Sequence, residues 1–212
     1  METDKDEIIE MIKEKINMEA EAIKTVAVNV DSAFVDAIMA ILECRGRVVV
    51  TGLGKTGHIA KKIAASFASL GTLSFFLHSD EALHGDLGMV DKSDVVIMIS
   101  NSGKSREILD MLPTLHILEV KTISITKDPD SPLAKGTDIV LNVDAGNEID
   151  HMNLAPTASS TAALAVGDAL ATVVSELKGF RRQDYALSHP GGALGQQLIN
   201  DYLQRIKTES GV

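Results

Sequence analysis

A single cysteine, Cys44, rules out an internal disulfide. Tryptophan is absent and aromatic residues make up 3% of the chain, so stacking platforms for bases or sugar rings are poorly provided for. A sugar ligand would have to be held mainly by polar groups. Cationic side chains are in deficit: 20 Lys and Arg stand against 30 Asp and Glu, and the net charge of -10 repels phosphate backbones and anionic lipid surfaces. Neither nucleic acid nor a membrane is an expected partner. The longest apolar stretch, residues 162–174, is interrupted by Asp168 and falls short of a hydrocarbon core of about 30 Å. The first seven residues are acidic and lack the apolar core of a secretory signal, which makes the cytoplasm the expected compartment. Repeats, linkers and low-complexity segments are also missing. What remains, 212 residues of which 45% are hydrophobic and 24% charged, has the composition of one ordinary globular domain.

Ile8, Ile12, Ile16, Ala20 and Ile23 recur at helical spacing, as do Phe34, Ile38, Ile41 and Leu42, so two amphipathic helices open the chain. The β-branched run at 47–51, with glycines on either side, reads as a buried strand. Similar runs lie at 74–77, 94–100, 122–126 and 138–141, with helical stretches at 58–70 and 105–118 and a short one at 132–135. The last long helix, 157–178, is rich in alanine and apolar on nearly every side. Strands alternating with helices predict an α/β fold: a five-stranded parallel sheet covered on both faces, with ligands at the carboxyl ends of the strands.

The loops after the strands carry the chemistry. After the first strand, Gly52-Leu-Gly54-Lys55-Thr-Gly57 fits the dinucleotide pattern G-x-G-x-x-G, with Asp80 or Glu81 at the distance of the usual ribose-binding acid. A ligand-free glycine turn is the plain alternative. A P-loop is excluded, because Val49 and Met98 stand where the two Gly-Lys-Ser/Thr triplets would need a further glycine. After the third strand comes Ser100-Asn101-Ser102-Gly103-Lys104-Ser105-Arg106-Glu107, where three hydroxyls, an amide and free backbone N–H groups form a cradle for one phosphate. A single helix cap would need one hydroxyl. His84 and His189 lie in polar loops containing glycine, whereas His58 and His116 read as ordinary helix residues. His78, His84, His151 and His189 lack the short spacing of a metal site.

Five motifs then agree in order: GLGKTGH (52–58), EALHGDLGMV (81–90), ISNSGKSREI (99–108), NLAPTASSTAALAVGDAL (153–170) and YALSHPGGALG (185–195). Together they resemble the sugar isomerase (SIS) domain of D-arabinose 5-phosphate isomerases, from about Arg45 to Gln197. The resemblance implies a three-layer αβα sandwich of flavodoxin-like type, and an aldose–ketose isomerase that interconverts D-arabinose 5-phosphate and D-ribulose 5-phosphate for Kdo synthesis. It implies the catalytic set Lys55, Glu107, Glu148 and His189, with His84 as a substrate contact and Gly54, Ser100, Asn101, Ser102 and Ser105 in the binding loops. His78 matches a family position associated with zinc, read as an inhibitory or adventitious site; a strand-end histidine facing the core is the plainer reading. Family members commonly continue into a tandem cystathionine-β-synthase-type module, which the chain is expected to lack together with its regulation. Lys104 stands where the family's serine loop usually has Glu.

Moving a proton from C2 to C1 through a cis-enediol needs a base, an acid/base for the oxygens and a positive group near the enediolate. Glu148 is assigned as the carbon base, with partial burial expected to raise its pKa toward neutrality. His189 would open the furanose ring and relay protons. Lys55 would offset negative charge, and Glu107 would orient Lys55 or His189 or simply complement a helix dipole. No cofactor is required. Two other readings share the fold: an isomerase of a different sugar phosphate, and a non-catalytic sugar-phosphate sensor. The surplus apolar helices predict a homo-oligomer, and the resemblance implies a tetramer, a dimer of dimers with sites shared between subunits. Residues 1–45 are assigned to helices that pack on the domain or a partner, 46–206 to the SIS domain and 207–212 to a tail.

Overall fold

The computed structural model describes residues 4–210. Along the chain run α1 (Lys5–Val28), α2 (Ser32–Glu43), β1 (Val48–Gly52), α3 (Lys55–Ser69), β2 (Ser74–His78), α4 (Ser79–Ala82), a 3-10 turn (Asp86–Met89), β3 (Val95–Ile99), α5 (Arg106–Leu109), α6 (Leu112–Ile117), β4 (Lys121–Thr126), α7 (Pro132–Gly136), β5 (Ile139–Asn142), α8 (Ala158–Leu177), α9 (Arg182–Ser188) and α10 (Ala193–Ser210). All strand pairs are parallel, in the order β2-β1-β3-β4-β5, with Val48 opposite Ser74 and Val95, Val95 opposite Lys121, and Ile123 opposite Ile139. This is the flavodoxin-like order, with its switch point between β1 and β3.

Every residue of β1 and β3 is buried, as central strands covered on both faces require. Side chains alternate across the pleat. Val48, Val50, Val95, Ile97 and Ile99 enter a core shared with α2, α3 and α8. Val49, Val96 and Met98 enter a second core with Ile108, Leu115 and Leu133. Two apolar layers on one sheet make the three-layer sandwich that the strand and helix alternation predicts.

Helices α3 and α8 run side by side in the same direction. Gly167 of α8 lies against Ile63, Asp168 accepts hydrogen bonds from Lys62 and Ser66, and Lys178 beyond the end of α8 donates to Thr72 beyond the end of α3. A methyl group on Gly167 would collide with the Ile63 side chain, so the close approach depends on that glycine. At 20 residues, α8 is longer than the apolar stretch read from the sequence and long enough to span a bilayer by length and composition, yet half of it is buried inside the domain.

Two expectations about helices need correction. The single helix expected at 105–118 is two, α5 and α6, because Pro113 sits in the first turn of α6 and cannot supply the N–H that a continuous helix needs there. The helix ending near residue 178 is also not the last one. Helices α9 and α10 follow, and α10 runs through residues 207–210 of the expected tail. At the amino terminus only Ala22 and Val26 of α1 are buried, while Ile8, Ile12 and Ile16 remain 42%, 55% and 65% exposed.

Candidate active site

Parallel strands bring all their carboxyl ends to one pole. At the switch point the chain leaving β1 turns into α3 on one face and the chain leaving β3 turns into α5 on the other, which opens a crevice between their loops. One lip carries Gly54 and Lys55, both exposed. Gly54 caps α3 without a side chain, so no side-chain acceptor meets the N–H groups of the first turn.

The other lip is the serine loop. Ser100 is buried at the end of β3, and its hydroxyl lies 3.0 Å from that of Ser105. Ser105 therefore spends its hydroxyl across the loop and makes no side-chain cap on α5. Ser102 accepts from the Lys104 N–H. The Asn101 carbonyl accepts from the Lys127 N–H and the Thr126 hydroxyl, and the Gly103 carbonyl accepts from the Leu133 N–H, which pins the loop to the segment after β4. Gly103 has φ of 62°, and a side chain there would run into Ser131. The loop is thus a fixed cradle with uncommitted helix-start N–H groups, suited to an anion. Glu107 follows, half-buried, in the first turn of α5.

His78 ends β2. Its Nδ1 accepts from the Asp80 N–H at 3.3 Å and caps α4, and its ring meets Phe76 edge-on. Among the described residues no three His, Cys, Asp or Glu side chains come together to hold a metal. His84 follows α4 in an exposed loop on the same pole.

Glu148 stands in the loop from β5 to α8, a segment organised by Asp150, whose carboxylate accepts from the N–H groups of Met152, Leu154 and Ala155. Because α3 and α8 run in parallel, with 63 level with 167 and 72 level with 178, the start of α8 lies level with Lys55. Glu148 docks on that start. Its Oε2 accepts from Thr157 N (2.8 Å), Thr157 Oγ1 (3.0 Å) and Ser159 N (3.2 Å), and its Oε1 accepts from the Ser159 hydroxyl. The expected rise in its pKa is therefore corrected. Burial does push upward, but the hydrogen bonds from Ser159 and Thr157 outweigh it and hold the carboxyl below the usual Glu range. Thr157 and Ser159, which hold this carboxylate, were not singled out in the sequence, where their hydroxyls looked like part of an alanine-rich helix.

His189 lies elsewhere within the chain. Its Nε2 is 2.9 Å from Ser69 Oγ, its Nδ1 is 3.0 Å from the Tyr185 carbonyl, and its ring stacks on Tyr185 at 3.8 Å between centroids. Ser69 is the last residue of α3 and Lys55 the first. One chain thus holds Lys55 and His189 at opposite ends of the same helix.

The SIS domain family model matches residues 41–173. The chain belongs to the SIS domain family. Over 193 residues this SIS chain is 47% identical to the arabinose 5-phosphate isomerase KdsD of Pseudomonas aeruginosa, a match covering 91% of the chain and 59% of the relative. The corresponding figures for KdsD of Escherichia coli K12 are 49% over 187 residues, 88% and 57%. The chain thus spans under two thirds of the length of these curated relatives. Among solved structures, an Escherichia coli CFT073 protein in complex with arabinose 5-phosphate superposes with a TM-score of 0.87 at 46% identity, covering 89% of this chain and all of that one. A putative sugar-phosphate isomerase from Listeria monocytogenes superposes with a TM-score of 0.86 at 33% identity, covering 89% and 100%.

Proposed function

We propose that this SIS domain is an aldose–ketose isomerase that interconverts D-arabinose 5-phosphate and D-ribulose 5-phosphate. The observation that carries the reading is the pairing of a fixed serine-loop cradle, Ser100 to Ser105, with an ionised carboxylate, Glu148, at the same pole. Identity of 47–49% to KdsD proteins over about nine tenths of the chain, and likeness to a protein solved with arabinose 5-phosphate, support the choice of substrate.

The serine loop, with Asn101 and the uncapped start of α5, takes the phosphate. Gly54 and His84 border the sugar. Glu148 takes the C2 proton of the open-chain aldose; the C2–H pair becomes the C1=C2 bond of the enediol and the carbonyl pair moves to O1, which gains a proton. Returning the carboxyl proton to C1 while O2 loses its own gives the ketose. Lys55 offsets negative charge on the enediolate, Glu107 orients its neighbours, and His189 opens the ring and relays protons between O1 and O2. No redox or metal cofactor enters this route, and His78, at the position that the family associates with zinc, is read first as the strand-end residue that caps α4. Run in reverse, the reaction forms D-arabinose 5-phosphate, which would feed Kdo synthesis in the cytoplasm.

His189 serves this site only if it comes from a second copy, since its own chain holds it at the far end of α3. A homotetramer, a dimer of dimers with shared sites, meets that need. An apolar groove of about 520 Å³ between α1, α2 and α8, edged by the exposed Val30, Val35 and Val173, supports association between copies. Incubation with a panel of phosphorylated aldoses, reading ketose formation, tests the reaction. Turnover of D-arabinose 5-phosphate above all others is expected, and turnover of a hexose phosphate instead would replace the substrate.

A further inference from the structure

We propose that Thr157 and Ser159 are positioning residues for isomerisation: they fix the Glu148 carboxylate so that Oε2 is saturated and Oε1 alone is left to accept the substrate proton. The inference rests on Glu148 being the carbon base and deepens that reading. Oε2 meets three donors, two of them backbone N–H groups at the start of α8, which leaves no direction open to a carbon acid. Oε1 meets one donor, the Ser159 hydroxyl, and keeps a lone pair free.

The Thr157 hydroxyl works in both directions, donating to Oε2 and accepting from the Ile149 N–H, so it ties the main chain beside Glu148 to the same helix start. The Glu148 N–H is held in turn by the Asn153 side chain at 2.7 Å. Backbone and carboxylate are therefore fixed independently, which is what a proton acceptor needs if it is to meet C2 without first reorienting.

The charged groups on the surrounding elements are Asp150 and His151 of the same loop, Glu19 of α1, which accepts from Thr161 on α8, and Lys55 at the head of α3. Among the described residues none of them forms an ion pair with Glu148. Neutral donors from α8 dominate its environment. The ionised form is the one that all four hydrogen bonds favour, so the base is ready at neutral pH and loses its proton-accepting form only in acid.

The test compares Ser159→Ala, Ser159→Thr and Glu148→Gln in the full chain, by the pH profile of kcat/KM and by a carbon NMR titration of the Glu carboxyls, with the Glu148 signal assigned by its loss in Glu148→Gln. Removing one hydrogen bond to a charged group should raise the acid limb by about one pH unit in Ser159→Ala, with the Glu148 signal titrating in step. KM should stay near the parent value, and Ser159→Thr, which restores a hydroxyl, should restore the parent profile. An unmoved titration overturns the positioning role. A titration that moves while the acid limb stays fixed also overturns it. Solvent deuterium washed into C2 of the substrate at the parent rate by Glu148→Gln would instead remove Glu148 as base, a failure of the parent reading that is separate from an unmoved titration.

Discussion

Fourteen helical rises of α3 separate Lys55 from Ser69, and at 1.5 Å per rise that is about 21 Å. His189 is bound to Ser69 at 2.9 Å, so in one chain it cannot reach a substrate that Lys55 touches. If both residues serve one site, the site is built from two copies. The perturbation is a pair of chains, Lys55→Ala and His189→Ala, each expected to lose about 10²–10⁴-fold in turnover, as groups that stabilise charge or move protons do. Mixed in equal amounts and allowed to exchange, half of all Lys55 positions and half of all His189 positions are intact. For independently drawn partners about one quarter of the sites are then whole, whether the closed assembly is a dimer or a dimer of dimers. A quarter of parent activity stands far above the residue left by either variant.

A reciprocal mixture provides the control. When the parent chain exchanges with the double variant Lys55→Ala/His189→Ala, a shared site loses half the activity per parent chain, because half of its partners are now defective. A site contained in one chain loses none. Differently tagged chains, co-purified after mixing, show that exchange has occurred. Exchange without recovery in the first mixture, and without loss in the second, would place the whole site in one chain and remove His189 from the catalytic set.

The remaining predictions bear on single features. Ser102→Ala and Ser105→Ala should each weaken sugar-phosphate binding by about 1.5–3 kcal/mol, read by calorimetry; a loss confined to turnover would reassign the loop. Unphosphorylated D-arabinose should turn over more slowly by orders of magnitude, because the cradle supplies the binding that positions C2, and a comparable rate on the free sugar would contradict that use of the loop. Glu148 has a lowered folded-state pKa, so its stabilisation is complete above the ordinary Glu pKa and is lost as pH falls through the lower folded value. The difference in melting temperature between parent and Glu148→Gln should accordingly shrink as pH falls below the ordinary Glu range, and a constant difference would mean that the ionised form is not what α8 binds. Asp94 is buried just before β3, at the pole opposite the crevice, and accepts from Arg47 N at 2.7 Å and Asp91 N at 2.9 Å. Asp94→Ala should lower stability in denaturant by about 2 kcal/mol while leaving turnover per folded chain unchanged.

What the sequence shows and what it hides divide along physical lines. The strands were legible because short apolar runs, most of them β-branched, alternate with helical stretches, and the structure moves their ends by only a residue or two. The break at Pro113 went unread, because the apolar spacing on either side of it masked the interruption. Helix α10 was hidden by its own polarity: Tyr202, Leu203 and Ile206 are 60%, 50% and 41% exposed, so little burial against the domain marks it out. Glu148 shows the deeper limit. Its burial suggested a raised pKa, whereas its four donors come from Thr157 and Ser159, residues that reach it only when the loop folds back on the start of α8. A carboxylate's environment is set by which dipoles the fold turns toward it, and here α8 turns its first N–H groups and two hydroxyls to one acid. That arrangement stabilises the loop and the helix start, and it also keeps Glu148 ionised beside the crevice where a C2 proton would have to leave. If Glu148 is the carbon base proposed above, the same four contacts serve folding and chemistry, which is why the titration of Glu148, and not its burial, is the quantity to measure.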